Sequence, residues 1–159
     1  MITVRRLTDR ELIASTITDK KVYPSVSEDL SPPADSFVAH ESEFVLYVGA
    51  YESDVFLGLF MFVQQTSVCF DAHTCLLPLA YGRSVDCAKA AAEFIFSTTS
   101  CLRITTTIPE YNKLAAKLAE KTGFKKYGHN EQCWKKAGIV YDTYLYGINK
   151  EDVCQQQYR

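Results

Sequence analysis

Leu76-Leu77-Pro78-Leu79-Ala80-Tyr81-Gly82-Arg83-Ser84-Val85-Asp86-Cys87-Ala88 decides how the rest of the chain is read. Residues 67–77, running into it, have the apolar character and boundaries of a strand. Behind it, residues 85–98 set Ala88, Ala91, Ala92 and Ile95 at three- and four-residue spacing among strong helix formers, which predicts a helix packed closely on a sheet. A strand ending at Pro78, a loop holding Gly82 and a helix start bring free backbone N–H groups and the positive end of a helix to one point. That geometry suits a pyrophosphate. An ordinary crossover turn has the same outline, so the stretch alone leaves both readings open.

Working downstream, residues 102–108 alternate with β-branched side chains and read as another strand. Strand, helix, strand requires a right-handed crossover and a parallel pair. Asn112 can cap a helix with Leu114, Ala115, Leu118 and Ala119 on one face, and Gly123 stands where a left-handed C-terminal cap is wanted. Strands at 124–127 and 139–146 follow, then a short polar tail over 150–159. Upstream, Ile2-Thr3-Val4-Arg5 alternates as a half-buried strand, and Thr8 with Glu11 forms a capping box for a helix over 9–18. Pro24, Pro32 and Pro33 punctuate residues 21–36, leaving room for a short helix only within 22–30, so this stretch is expected to be a mobile surface segment. Residues 44–48, 55–65 and 67–77, with a turn at Glu52-Ser53-Asp54, predict an antiparallel meander. The fold class expected is α/β (α+β): a single domain over residues 1–159 with a mixed, mostly antiparallel sheet and helices on both faces.

Composition narrows the function. With 159 residues, 47% hydrophobic and 23% charged, the chain is long enough to bury a core without disulfide staples. Its 17 basic and 19 acidic side chains leave a net charge of −2, which disfavours general nucleic-acid binding. The longest uncharged apolar run, 55–63, is about half of the ~20 residues a membrane helix needs. The N-terminus carries charges where a signal peptide needs an apolar segment, so a cytoplasmic location is expected. Six cysteines show no close pair and three histidines lie far apart, a spacing that supports reduced, mostly buried thiols and no metal site.

Residues 76–88 resemble the acetyl-CoA loop of the GNAT superfamily of N-acetyltransferases, in which Arg or Gln is followed three and five residues later by small residues. Arg83, Asp86 and Ala88 fall in that register. Asn112-Lys113-Leu114-Ala115-Ala116-Lys117-Leu118-Ala119-Glu120-Lys121-Thr122-Gly123-Phe124 is similar to the family's second, more specific signature, an Asn, then Ala, then Glu-Lys-x-Gly-Phe. The expected order of elements is also that of the GNAT fold. The resemblance implies a twisted sheet of about six or seven strands, splayed in a V between the strand ending at Leu77 and the strand over 102–108. It further implies that the pantetheine arm of acetyl-CoA slides into the splay and hydrogen-bonds the open backbone as a strand would. Leu76, Leu77, Arg83, Ser84, Val85, Asp86, Cys87, Ala88 and Asn112 are the cofactor-binding positions so implied, and an unidentified amine would accept the acetyl group. Catalysis in this family is largely positioning, with a base for the amine proton and often an acid for the departing thiolate.

Two positions depart from the pattern. Asp86 stands where the family has a loop glycine, either adding repulsion to a bound pyrophosphate or turning outward to stabilise the first turn of its helix. Ala119 stands where the family places its acidic tyrosine, for which Tyr111 or Tyr127 are the substitutes. On the strand before the loop, Asp71, His73, Cys75 and Leu77 share one face. His73 is the catalytic candidate, or else a hydrogen-bonded sheet residue; Glu43 is a second candidate, or else a surface carboxylate. Tyr141, Tyr144 and Tyr146 line an acceptor pocket or a sheet face, and Lys121, Lys125, Lys126, Lys135 and Lys136 form a basic cluster or a solvated one.

His73-Thr74-Cys75-Leu76-Leu77-Pro78 with Ile108-Pro109-Glu110-Tyr111-Asn112 is similar to a GNAT-like group encoded by tailed bacteriophages, some of whose members are associated with head assembly or the virion. Two functions are therefore expected as alternatives. One is an acyl-CoA-dependent N-acetyltransferase with a degenerate cleft. The other is a non-catalytic component on the same fold whose partners are phage virion proteins, located in the bacterial host or the virion.

Overall fold

Seven strands pair into one sheet whose central strands are apolar on both faces, so that helices cover both. The computed structural model describes residues 1–156, and side chains through 153. In chain order the strands are β1 Ile2–Arg6, β2 Val45–Glu52, β3 Val55–Gln64, β4 Cys69–Leu76, β5 Arg103–Pro109, β6 Lys125–Lys136 and β7 Ile139–Asn149. The helices are α1 Arg10–Ile17, α2 Tyr23–Val26, α3 Ser84–Thr98, α4 Lys113–Thr122 and α5 Lys150–Gln156, with 3-10 turns at Ala34–Ser36 and Pro78–Ala80. Spatial order in the sheet is β1-β2-β3-β4-β5-β7-β6, and every neighbouring pair is antiparallel except β4 and β5.

Alternation assigns the two faces to two cores. Phe60 and Phe62 of β3, Phe70 of β4 and Ile104 of β5 meet Cys87, Ala91, Ala92, Ile95 and Phe96 of α3. On the opposite face Leu59 and Cys75 meet Ile13 and Ile17 of α1 and Val22. The small alanines of α3 let its axis approach the sheet, as its three- and four-residue spacing predicts. The meander turn has Ser53 at φ 47° and Asp54 at φ 66°, the paired left-handed residues of a tight hairpin. Gly123, at φ 109°, closes α4 in the left-handed conformation expected of it.

Four expectations are corrected. Asp9, rather than Thr8, caps α1: its Oδ1 accepts the Leu12 N–H at 3.1 Å. The polar tail is helical as far as Gln156, and residues 157–159 lie outside the described residues. Strand β6 runs to Lys136, nine residues past the expected end, because an outer strand with both faces largely in solvent shows no hydrophobic alternation. Finally, residues 21–36 are pinned rather than mobile. Asp29 N–H donates to the Lys135 carbonyl at 2.9 Å, and its carboxylate accepts the Ala137 and Gly138 N–H groups at 2.8 and 3.0 Å. In return Lys136 Nζ donates to the Pro24 and Ser27 carbonyls, both at 2.7 Å. The Gly138 N–H holds the Asp29 carboxyl below its usual pKa; burial opposes it, and the Ala137 N–H with the charges of Lys135 and Lys136 adds to the lowering.

Candidate functional site

The parallel ladder between β4 and β5 has three rungs: Cys69 with Arg103, Phe70 with Ile104, and Asp71 with Thr105. Beyond Asp71 the two strands part. Residues 72–76 remain paired with β3 and residues 106–109 with β7, so each strand turns one edge of its backbone toward the gap. Just past the last rung the Thr106 hydroxyl bridges the parting strands, donating to the Ala72 carbonyl at 3.0 Å. A V-shaped opening therefore starts at the Asp71–Thr105 rung and widens toward the 76–88 loop. Unpaired strand edges of this kind offer N–H donors and carbonyl acceptors at the spacing an extended polar ligand needs.

The loop at the wide end is shaped by a bulge in β3. Gly58 has φ +131°, and a Cβ there would stand 2.6 Å from the Cys75 carbonyl oxygen and 2.7 Å from the Leu76 Cα, so only glycine lets β3 run this close to the end of β4. Leu76 then packs into the α3 core and Leu77 into the α1 core. Gly82, at φ 89°, turns the chain into α3, whose first turn has no side-chain cap. Its leading N–H groups are thus free for an anion. Ser84 Oγ is turned back to the Ala80 carbonyl at 3.3 Å, Val85 is half-buried, and Cys87 is fully buried, which pushes its thiol up to about 11. Ala88 packs against the core.

Charge at this loop is unlike that of a simple phosphate cradle. Arg83 Nε is paired with Oε2 of Glu52, the last residue of β2. Asp86 is exposed in the first turn of α3, where its carboxylate complements the helix dipole. One cation thus faces two carboxylates near the helix start. Glu52 carries no sequence signal of its own; only the pairing of the β2–β3 turn with the loop brings it to Arg83.

His73 lies at the narrow end. Its Nε2 is 3.3 Å from Asp71 Oδ2, while Asp71 Oδ1 accepts the Thr105 hydroxyl at 3.1 Å. Alternation along β4 places Asp71 and His73 on the α1 face of the sheet, as the sequence implies, and the crossover adds Thr105. Glu43 is exposed in the loop before β2, with no side-chain hydrogen bond or ion pair among the described residues. Asn112 Oδ1 accepts the Ala115 N–H at 3.1 Å and so caps α4. Ala119 is buried against Ile108 and Tyr146, and Tyr146 OH donates to Glu120 Oε1 at 3.3 Å. Of the substitutes for a phenol, Tyr127 lies under the Arg103 guanidinium, at the ladder end of β5 away from the opening. Tyr111, just beyond the other end of β5, accepts the Trp134 indole N–H at 2.9 Å and packs edge-on against Tyr141. Tyr144 instead pairs with His129 and Lys126.

The pinned segment completes the surroundings. α2 packs over β4, and the residues after it are tied to the tip of the β6–β7 hairpin through Asp29 and Lys136. A strap therefore runs on the α1 face from β4 to that hairpin, beside the opening in the sheet. Among the described residues there is no cluster of His, Cys, Asp and Glu suited to a metal ion, and no helix is long and apolar enough to cross a membrane.

Solved structures superpose on this fold. A spermidine N-acetyltransferase from Vibrio cholerae, in complex with CoA and spermine, superposes with a TM-score of 0.79 over 96% of this chain and 98% of that one, at 15% identity. A putative phosphinothricin N-acetyltransferase gives 0.71 over 94% and 98% at 18% identity. A GNAT-family acetyltransferase from Bacillus anthracis gives 0.70 over 94% and 95% at 17% identity. No curated protein matches the chain. At these identities the likeness shows the fold, and the fold is that of the GNAT superfamily. The family profile that matches residues 34–158 spans both the splayed strands and the loop between them: the chain belongs to the family described as "Protein of unknown function (DUF2824)" and carries it on a GNAT fold.

Proposed function

We propose that this protein is a single-domain N-acyltransferase that takes an acetyl group from acetyl-CoA and passes it to an amine. The observation that carries the reading is the opening past the Asp71–Thr105 rung, with backbone edges on both sides and the uncapped start of α3 at its wide end. The 72–76 and 106–109 edges fit the pantetheine arm, and the N–H groups of residues 84–86 fit the pyrophosphate. Arg83, committed to Glu52, and Asp86 make that phosphate end weaker than a free cation beside a glycine would be. His73 is the base. It takes the proton lost by the amine nitrogen as that nitrogen bonds to the thioester carbonyl carbon, and the departing sulfur is protonated from water. The strap through Asp29 borders the acceptor side. The polyamine in the Vibrio cholerae complex makes spermine a reasonable first amine to offer.

A second reading is favoured by the Arg83–Glu52 pair and by Ala119 in place of a phenol: the fold serves assembly, with phage virion proteins as partners in a bacterial host. Calorimetric titration with acetyl-CoA decides between them, coupled to mass-spectrometric detection of acetylated spermine for the wild type and His73→Ala. Micromolar binding at one site with turnover lost in the variant supports the enzyme. No binding at millimolar acetyl-CoA overturns it in favour of the assembly role.

A further inference from the structure

We infer that Asp71 is a positioning residue, held by Thr105, that keeps the His73 imidazole protonated on Nε2 and leaves Nδ1 as its basic nitrogen; this rests on His73 being the base. A carboxylate only accepts hydrogen bonds, so the 3.1 Å contact with Thr105 has the hydroxyl as donor and Oδ1 as acceptor. That leaves Oδ2, 3.3 Å from His73 Nε2, to face the ring. A negative oxygen beside Nε2 favours the tautomer with its proton there, and such contacts commonly shorten only when substrate closes the site. Asp71 is the more sheltered of the two, its side chain 23% exposed against 43% for His73, as befits an anchor rather than a reacting group. Met61 faces His73 from β3, Thr105 and Thr107 share its face from β5, and α2 over β4 is Tyr-Pro-Ser-Val. On β5 the same face also carries Arg103, whose guanidinium donates to Asn149 Oδ1 at 2.8 Å and lies over Tyr127 rather than turning to His73. The Asp71–Thr105 rung is also the last of the parallel ladder, so the anchor is held from both sides of the seam where the opening begins.

The hydroxyl makes the inference sharp. In Asp71→Asn an amide oxygen that keeps the Thr105 hydroxyl as its donor, as the carboxylate does, leaves its NH2 facing His73 Nε2. That nitrogen must then accept, and the proton moves to Nδ1, where the base is needed. The isosteric Asn should therefore cost more than Ala, the reverse of the order that packing alone would give. Expected are a fall in kcat of at least ~100-fold for Asp71→Asn with KM for acetyl-CoA unchanged, the scale of general base catalysis itself, and a smaller fall of ~10-fold for Asp71→Ala, which keeps the base but not its positioning. In Asp71→Asn/Thr105→Val the amide is free to turn, and part of the kcat should return. Nitrogen-15 NMR of the imidazoles reads the tautomer without any turnover: Nε2–H in the wild type, Nδ1–H in Asp71→Asn. A retained Nε2–H tautomer in Asp71→Asn, or a greater loss in Asp71→Ala, overturns the inference. If the tautomer switches but the wild type acetylates nothing, the positioning by Asp71 stands and the acyltransferase reading falls.

Discussion

Replacing Glu52 by Gln should strengthen binding of CoA. The substitution keeps the shape of the side chain at the end of β2, removes one of two carboxylates near the start of α3, and releases Arg83. The Arg83 and Glu52 side chains are 48% and 28% exposed, so the pair lies in the range of partly solvated ion pairs, of order 0.2–1 kcal/mol. With tenfold in affinity for each ~1.4 kcal/mol, freeing the guanidinium corresponds to roughly a 1.4- to 5-fold lower Kd. Calorimetry at low and moderate salt measures it, and the gain should shrink as salt screens the loop. The decisive comparison is the double-mutant cycle with Arg83→Ala. If Glu52 acts by withholding Arg83, most of the gain disappears when Arg83 is absent. An equal gain with and without Arg83, or no gain at all, would refute the idea that the pair competes with the ligand.

Two further outcomes follow from the scaffold. Gly58→Ala places a Cβ 2.6 Å from the Cys75 carbonyl at a φ that L-residues avoid; a cost on the order of 2–3 kcal/mol should lower Tm by roughly 4–12 °C, and an unchanged melting curve would show that β3 can retreat from β4. The Asp29 carboxyl is held below its usual value, so the stability it lends to the strap is complete above the unfolded pKa of about 3.9 and is lost as pH falls through the lower folded value. Amide exchange at Ala137 and Gly138, corrected for intrinsic rates, should lose protection in that acid window and at all pH values in Asp29→Ala; protection retained in the variant would mean that the turn holds itself.

The parts of the fold that could be read in advance are those whose signal is local. Ala88, Ala91, Ala92 and Ile95 announce α3, Asn112 and Gly123 bracket α4, and the meander follows from alternation, because burial of one face imposes a period on the residues themselves. Strand β6 escaped beyond residue 127 because it is an outer strand in solvent on both faces, with a bulge at Gln132 breaking what register there was. Asp9 took the cap from Thr8 because the helix begins one residue later than the capping box requires. At the candidate site the same division holds. That Asp71 and His73 share a face was legible from a spacing of two. That Thr105 belongs with them, and Glu52 with Arg83, was not, because the crossover and the β2–β3 turn bring together residues with no sequence relation. Nor can proline content reveal that residues 21–36 are held, since the holding groups, Lys136 and two turn amides, lie 108 or more residues away.

The three-rung seam is also where the native sheet is most weakly tied. Every other pairing in the sheet has five or more rungs, so the fewest backbone hydrogen bonds have to break here. Each side keeps its own ladders, β1 to β4 on one and β5 to β7 on the other, while the packing of α3 on α4 and the strap at the hairpin tip also hold the two together. Local opening of the native protein therefore starts along this line, and amide exchange should find its lowest sheet protection there.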